Sequence, residues 1–206
     1  MATIIDADTS DGLKITSDTT GQLELQSGGV TQVTVTDTKV TFNKTIVAPV
    51  TTVQTHLNTA SSQSNTANVR TNISGLNATI TPSTTSKRIK ITIRWNGEYS
   101  STINHDKVFG IKRDTTDIGN PAADGNHPVG MAIIAMGYST GDATSTPDSV
   151  MYSYIDSPAT TSATTYHATY LHSTLSGTLY NQRTVNDVNT TDGERLTSTI
   201  ILEEID

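Results

Sequence analysis

The run Arg88-Ile89-Lys90-Ile91-Thr92-Ile93-Arg94-Trp95 alternates without a break. Successive side chains of an extended chain point to opposite faces, so Ile89, Ile91, Ile93 and Trp95 share one face. Arg88, Lys90, Thr92 and Arg94 share the other. The run reads as a β-strand with an apolar side against a core and a cationic side toward water. Further strands are expected at Val108 to Ile111, Met131 to Met136, Met151 to Ile155, Thr165 to Leu171 and Thr197 to Ile205. Gly- and Pro-bearing loops separate them: Gly119 to Pro128, Gly137 to Pro147, and Asp156-Ser157-Pro158. About eight strands divided by turn signals predict an all-β sandwich of jelly-roll type over residues 73–206.

The N-terminal 48 residues carry a different pattern. Leu13-Lys14-Ile15, Leu23-Glu24-Leu25 and Val33-Thr34-Val35 fall ten residues apart, and Val40-Thr41-Phe42 follows. Asp18 to Gly21 and Ser27-Gly28-Gly29 supply turns between them. Each short strand offers two apolar residues to one face, and a small sheet with so little to bury is marginal alone. Copies of the chain are expected to supply the missing wall, in an obligate, intertwined homo-oligomer. Its core would hold Leu13, Ile15, Leu23, Leu25, Val33, Val35, Val40 and Phe42.

Residues 49–72 read as a short neck. Between Thr45 and Ser86 the only Lys, Arg, Asp or Glu is Arg70. Val50, Val53, Leu57, Ala60, Ser64 and Ala67 are spaced alternately by three and four, the seam of a heptad repeat. Thr and Ser are mediocre helix formers, so the same stretch also reads as an extended, threaded connector. In either form Val53 and Leu57 are expected at the trimer core.

Composition narrows the function classes. Counted with its glycines and without tyrosine, apolar content is about 36%, against roughly 45–50% in ordinary globular domains. Charged residues are only 16%, and 40 Thr and 20 Ser fill the gap with strand-forming, soluble side chains. A net charge of −7 with no basic run argues against nucleic acid as a partner. Cysteine is absent, which excludes disulfides and thiolate metal sites. The stretch Met1 to Asp6 lacks the basic and apolar regions of a signal peptide, and the apolar run Met131 to Met136 is too short to span a membrane.

Motifs for chemistry are sparse, and no cofactor is expected. Asp6, Asp8 and Asp11 precede Gly12, but a calcium loop of EF-hand type needs glycine in the sixth place, where Asp11 stands. A solvated acidic turn is the simpler reading. Of the five histidines, His167 and His172 would face opposite sides of one strand and could not share a metal. No Gly-x-Ser-x-Gly elbow and no phosphate-cradling loop is present. Glu98, Asp106, Asp114 and Asp117 are acidic candidates for glycoside cleavage, but their spacing does not pair them. Tyr99 and Tyr138 lie beside turn residues, and with Asn126 and His127 they are the expected distal binding surface.

The order of these pieces resembles structural proteins of tailed bacteriophages, especially fibre-like virion proteins. One block carrying the likeness is Thr16-Ser17-Asp18-Thr19-Thr20-Gly21-Gln22-Leu23-Glu24-Leu25-Gln26-Ser27. The other joins Ile73-Ser74-Gly75-Leu76, Ile80-Thr81-Pro82 and Ser86-Lys87-Arg88-Ile89 to the ending Ser198-Thr199-Ile200-Ile201-Leu202-Glu203-Glu204-Ile205. The resemblance implies a trimer in the virion whose residues 1–48 dock on other virion proteins. Its C-terminal knob would contact a glycan or protein of the host surface. A long tail fibre repeats its shaft many more times, so the chain would form a short fibre. A capsid decoration protein is the alternative, and a short-fibre glycan hydrolase a rival of another class.

Overall fold

A computed structural model describes residues 22–36, 38–43, 51–99, 107–134, 146–189, 191 and 193–205. These residues form strands, turns and loops, with no helix among them. The chain divides into two compact units, Met1–Ala48 and Pro49–Asp206.

The first unit holds an antiparallel meander of β1 (Leu23–Ser27), β2 (Val30–Val35) and β3 (Val40–Phe42). Gly28 and Gly29 join β1 to β2 at φ 60° and 76°. Two consecutive positive φ values match the twist of a two-residue hairpin, and only glycine takes them without strain. Register then fixes the faces. Leu23 pairs with Val35 and Val35 with Val40; Leu25 pairs with Val33 and Val33 with Phe42. Directly opposed residues share a face, so six apolar side chains stand in two cross-strand rows on one side. The other side is polar: Glu24 accepts hydrogen bonds from Thr31 Oγ1 at 2.9 Å and Gln26 Nε2 at 3.2 Å. Leu13 and Ile15 lie outside the described residues.

The second unit is built from β4 (Thr52–Leu57), β5 (Ser61–Asn65), β6 (Thr71–Ile80), β7 (Arg88–Tyr99), β8 (Lys107–Arg113), β9 (Thr116–Ile118), β10 (Asp148–Asp156), β11 (Thr164–His172), β12 (Gly177–Asn181) and β13 (Ser198–Ile205). All pairings are antiparallel. β7 is the spine of a six-stranded sheet: β10 runs along one side, while β13 and then β12 share the other. β4 adds to β13, and β5 to β12. The second sheet has the order β6-β11-β8-β9.

The inner faces of the two sheets meet in one core. Ile89, Ile91, Ile93 and Trp95 are fully buried there with Ile200 and Leu202 of β13, facing Ile73, Leu76, Phe109, Ile111, Tyr166 and Tyr170. Burying a side chain of this size stabilises the fold by about 1.5–3 kcal/mol. Trp95 stacks against Phe109 at 5.1 Å, and its indole N–H donates to Asn181 Oδ1 at 2.8 Å. Gly97 is required by space: a Cβ there would stand 2.1 Å from the Tyr180 carbonyl oxygen.

Three expectations are corrected. Residues 52–57 and 61–65, read as a neck, are strands β4 and β5 of the second unit's sheet. Val53 and Leu57, expected at a trimer core, pack against the core of their own chain. A spacing of four serves a helix and a strand alike, since it is two periods of two; Thr52, Gln54 and His56 alternate outward between them. The run Met131 to Met136 forms no strand among its described residues; Ala132 makes only an isolated bridge to Phe109.

Candidate functional site

Of the residues expected on a distal surface, Tyr99 is not there. It is 1% exposed. β7 runs on through Tyr99, and the parity that sends Ile89 and Trp95 inward sends Tyr99 inward too. Its hydroxyl donates to Asn65 Oδ1 at 2.7 Å, and its ring packs on His172 at 5.1 Å and Tyr170 at 5.8 Å. The buried ammonium of Lys107 stands 5.1 Å from the same ring centroid. Burial pulls the Lys107 pKa down, and the charges of Asp148 and Glu98 oppose that shift. This end of the core is polar and closed.

Asn126 and His127 do lie at the surface, in the connection between β9 and β10. The His127 N–H donates to the Asp124 carbonyl at 3.3 Å, closing a turn at the tip. Tyr138 lies outside the described residues. What fixes this loop is Arg70, whose side chain is 8% exposed. Its guanidinium donates to Thr169 Oγ1 at 3.0 Å and to the Val129 carbonyl, and Nε faces Asp117 at 3.5 Å. Burial pulls the Arg70 pKa down, and Asp117 opposes the shift. Backbone bonds complete the anchor: the Met131 N–H donates to Phe109 O at 2.7 Å, and the Phe109 N–H to Ala132 O at 2.8 Å. The turn of Asn126 and His127 is thus followed by a segment anchored at Val129 to Ala132, an arrangement suited to recognition. Arg70 went unassigned in sequence, although it is the single charge in a 42-residue uncharged tract; that isolation was its signal.

The acidic candidates are occupied in holding the fold. Glu98 accepts from the Val185 N–H at 2.6 Å, Asp114 from the Thr165 N–H at 2.9 Å, and Asp117 faces Arg70. Asp106, Asp6, Asp8 and Asp11 lie outside the described residues. Among the described residues no three His, Asp or Glu side chains come together as a metal site. Asp156 is buried between the Arg113 guanidinium, at 3.0 Å and 3.1 Å from its two oxygens, and the Tyr166 hydroxyl at 2.7 Å.

Two outer surfaces are open. On the six-stranded sheet, Arg88 and Arg94 project outward as the alternation requires, with Lys90 paired to Glu203 at 2.8 Å. On the first unit's sheet the apolar rows are partly exposed: Leu25 is 46% exposed, Phe42 53% and Val40 55%, while Leu23, Val33 and Val35 are half-buried. Isolated exposed apolar residues are ordinary, but here Leu25, Val40 and Phe42 stand on one face of a three-stranded sheet.

Neither a scan against protein-family models nor a search of curated proteins finds a significant match for this chain.

Proposed function

We propose that the chain is a structural protein of a bacteriophage virion, a short homotrimeric fibre with a jelly-roll-like knob directed at the host surface. One observation carries the reading: on the apolar face of β1, β2 and β3, Leu25, Val40 and Phe42 stay about half exposed. Three copies that turn this face toward a common axis would cover the side chains that each leaves about half exposed, Leu25, Val40 and Phe42. The polar face of each sheet, centred on Glu24, then remains in water. Residues 1–48 would serve trimer closure and docking on the particle, and the second unit would present the loop of Asn126 and His127. Engagement of Glu98, Asp114 and Asp117 in the fold favours a binding and structural role over glycan hydrolysis.

The test is made on purified particles that carry the chain. Light scattering of the isolated protein should give three chain masses, and quantitative mass spectrometry of particles should give at most a few tens of copies. Hundreds of copies per particle would replace the fibre with a capsid decoration protein. Release of reducing sugar from host polysaccharide would restore the hydrolase. A folded monomer at micromolar concentration defeats the trimer in all its forms.

A further inference from the structure

The six-stranded sheet of the second unit has two open edges along the layer β10-β7-β13-β4. β10 pairs with β7 over its nine residues, and no backbone–backbone hydrogen bond reaches its other edge among the described residues. β4 pairs with β13, its Leu57 packs against Gly75 of β6, and no backbone hydrogen bond reaches its far side among the described residues. A monomeric protein blocks such edges with lysine, proline, a bulge or a very short strand. Among the described residues no lysine, proline or bulge blocks either edge, and the charges of β10 are Asp148 and Asp156 at its two ends. Ser149-Val150-Met151-Tyr152-Ser153-Tyr154-Ile155 has no charge and no proline, nor has Thr52 to Leu57, and both registers run unbroken. Beside the β10 edge, Met151 is 69% exposed and Ile155 46%.

Strand direction identifies what fits these edges. β10 is antiparallel to β7, β7 to β13, and β13 to β4. β10 and β4 therefore run in opposite directions. A second copy turned about an axis parallel to the strands brings its β10 alongside β4 of the first in the antiparallel sense used throughout the sheet. The operation repeats from copy to copy until the ring closes, and every copy then has both edges satisfied. An unrelated strand could satisfy one edge; a copy of this chain satisfies both with one contact.

We infer that β4 of each copy pairs with β10 of its neighbour, head to tail, so that the six-stranded sheets join around the axis. The number of copies, three, rests on the trimeric reading above. β4 also begins only four residues after Ala48, so chains gathered by the first unit enter these strands at high local concentration.

The absence of cysteine makes a direct test simple. In the full chain, Gln54→Cys is combined in turn with Ser149→Cys, Met151→Cys, Ser153→Cys and Ile155→Cys, all exposed positions on the outer face. Within one chain these positions are three strand spacings apart, about 14 Å, too far for an internal disulfide. Mild oxidation should convert at least one pair almost wholly to a covalent trimer on a non-reducing gel, while each single variant stays monomeric there. A single β10 variant that cross-links to a dimer would mean self-pairing of β10 and overturn the inference. A trimeric protein in which none of the four pairs cross-links overturns it and leaves the trimeric reading intact. Covalent trimers that form equally well with Phe42→Asp added support the edge pairing and remove the first unit's face as its cause. A wild-type monomer overturns both.

Discussion

The two units use the same material in opposite ways. In the second, alternation along β7 closes Ile89, Ile91, Ile93 and Trp95 against a facing sheet, and all four are fully buried. In the first, alternation is as regular, yet Leu25, Val40 and Phe42 keep about half their surface in water. Among the described residues the difference is not hydrophobicity but the number of layers. A sheet with one apolar face is stable when a second layer covers it. The second unit has that layer within one chain, and in our reading the first borrows it from other copies.

The sharpest break of this contrast comes from deleting one side chain in each unit. Trp95→Ala removes the largest fully buried side chain and leaves Asn181 Oδ1 without its indole donor. Loss of about 3–5 kcal/mol is expected, measured as a lower urea midpoint at every protein concentration. Phe42→Asp should behave otherwise. It places a carboxylate in the proposed shared face, and each copy loses about 2–3 kcal/mol of apolar burial. Scattering mass should fall from three chains to one, while the β7 core keeps its midpoint at high dilution. Melting of the wild type should depend on concentration, and that of the variant should not. If Phe42→Asp lowers the core midpoint as Trp95→Ala does, the two units are not distinct in this way.

Arg70 sharpens the comparison inside the second unit, between core and displayed loop. Arg70→Met keeps the packed stem but leaves the Val129 carbonyl, Thr169 Oγ1 and Asp117 without their cation. A cost of about 1–3 kcal/mol is expected, since buried polar groups are left unsatisfied. Hydrogen exchange should quicken first at Met131 and Ala132 and leave β7 protected. Uniform loss across β7 would show that Arg70 supports the whole sandwich and not the loop.

Much of this architecture was legible because period two leaves little choice. The β7 faces, the strands β10, β11 and β13, and the one-sided apolar pattern of β1 to β3 all follow from alternation and turn residues. Tyr99 was misplaced because its neighbouring turn signals outweighed a parity that β7 itself supplies. Asn96 and Glu98 follow that parity outward, yet both are buried. Residues of the 182–197 segment bond to them: the Gln182 N–H to Asn96 O at 2.9 Å, Asn96 Nδ2 to Thr197 O at 2.6 Å, and the Val185 N–H to Glu98. That cover comes from a polar loop far along the chain, which no local pattern announces. β5 was hidden because Ser and Gln carry no contrast between faces, and β4 because the spacing of Val53 and Leu57 fits a heptad as well as a strand.

The smallest expected effect separates His167 from the closed end of the core. His167 lies on β11 beside Lys112 and opposite Asn77, partly buried. Burial pulls its pKa below the ordinary 6.5; Asp114 opposes that shift and Lys112 adds to it. A histidine depressed in the fold is more readily protonated when unfolded. Its contribution is therefore complete above pH 6.5 and declines as pH falls from there through the lower folded value. Carboxylates also titrate in acid, so the quantity to measure is the difference between wild type and His167→Asn in urea midpoint, from pH 8 down to pH 5. That difference should be constant above neutrality and shift in the variant's favour below it. A difference that stays flat to pH 5 would mean that the imidazole is as well solvated in the sheet as in the unfolded chain, and that β11 is more open here than its neighbours allow.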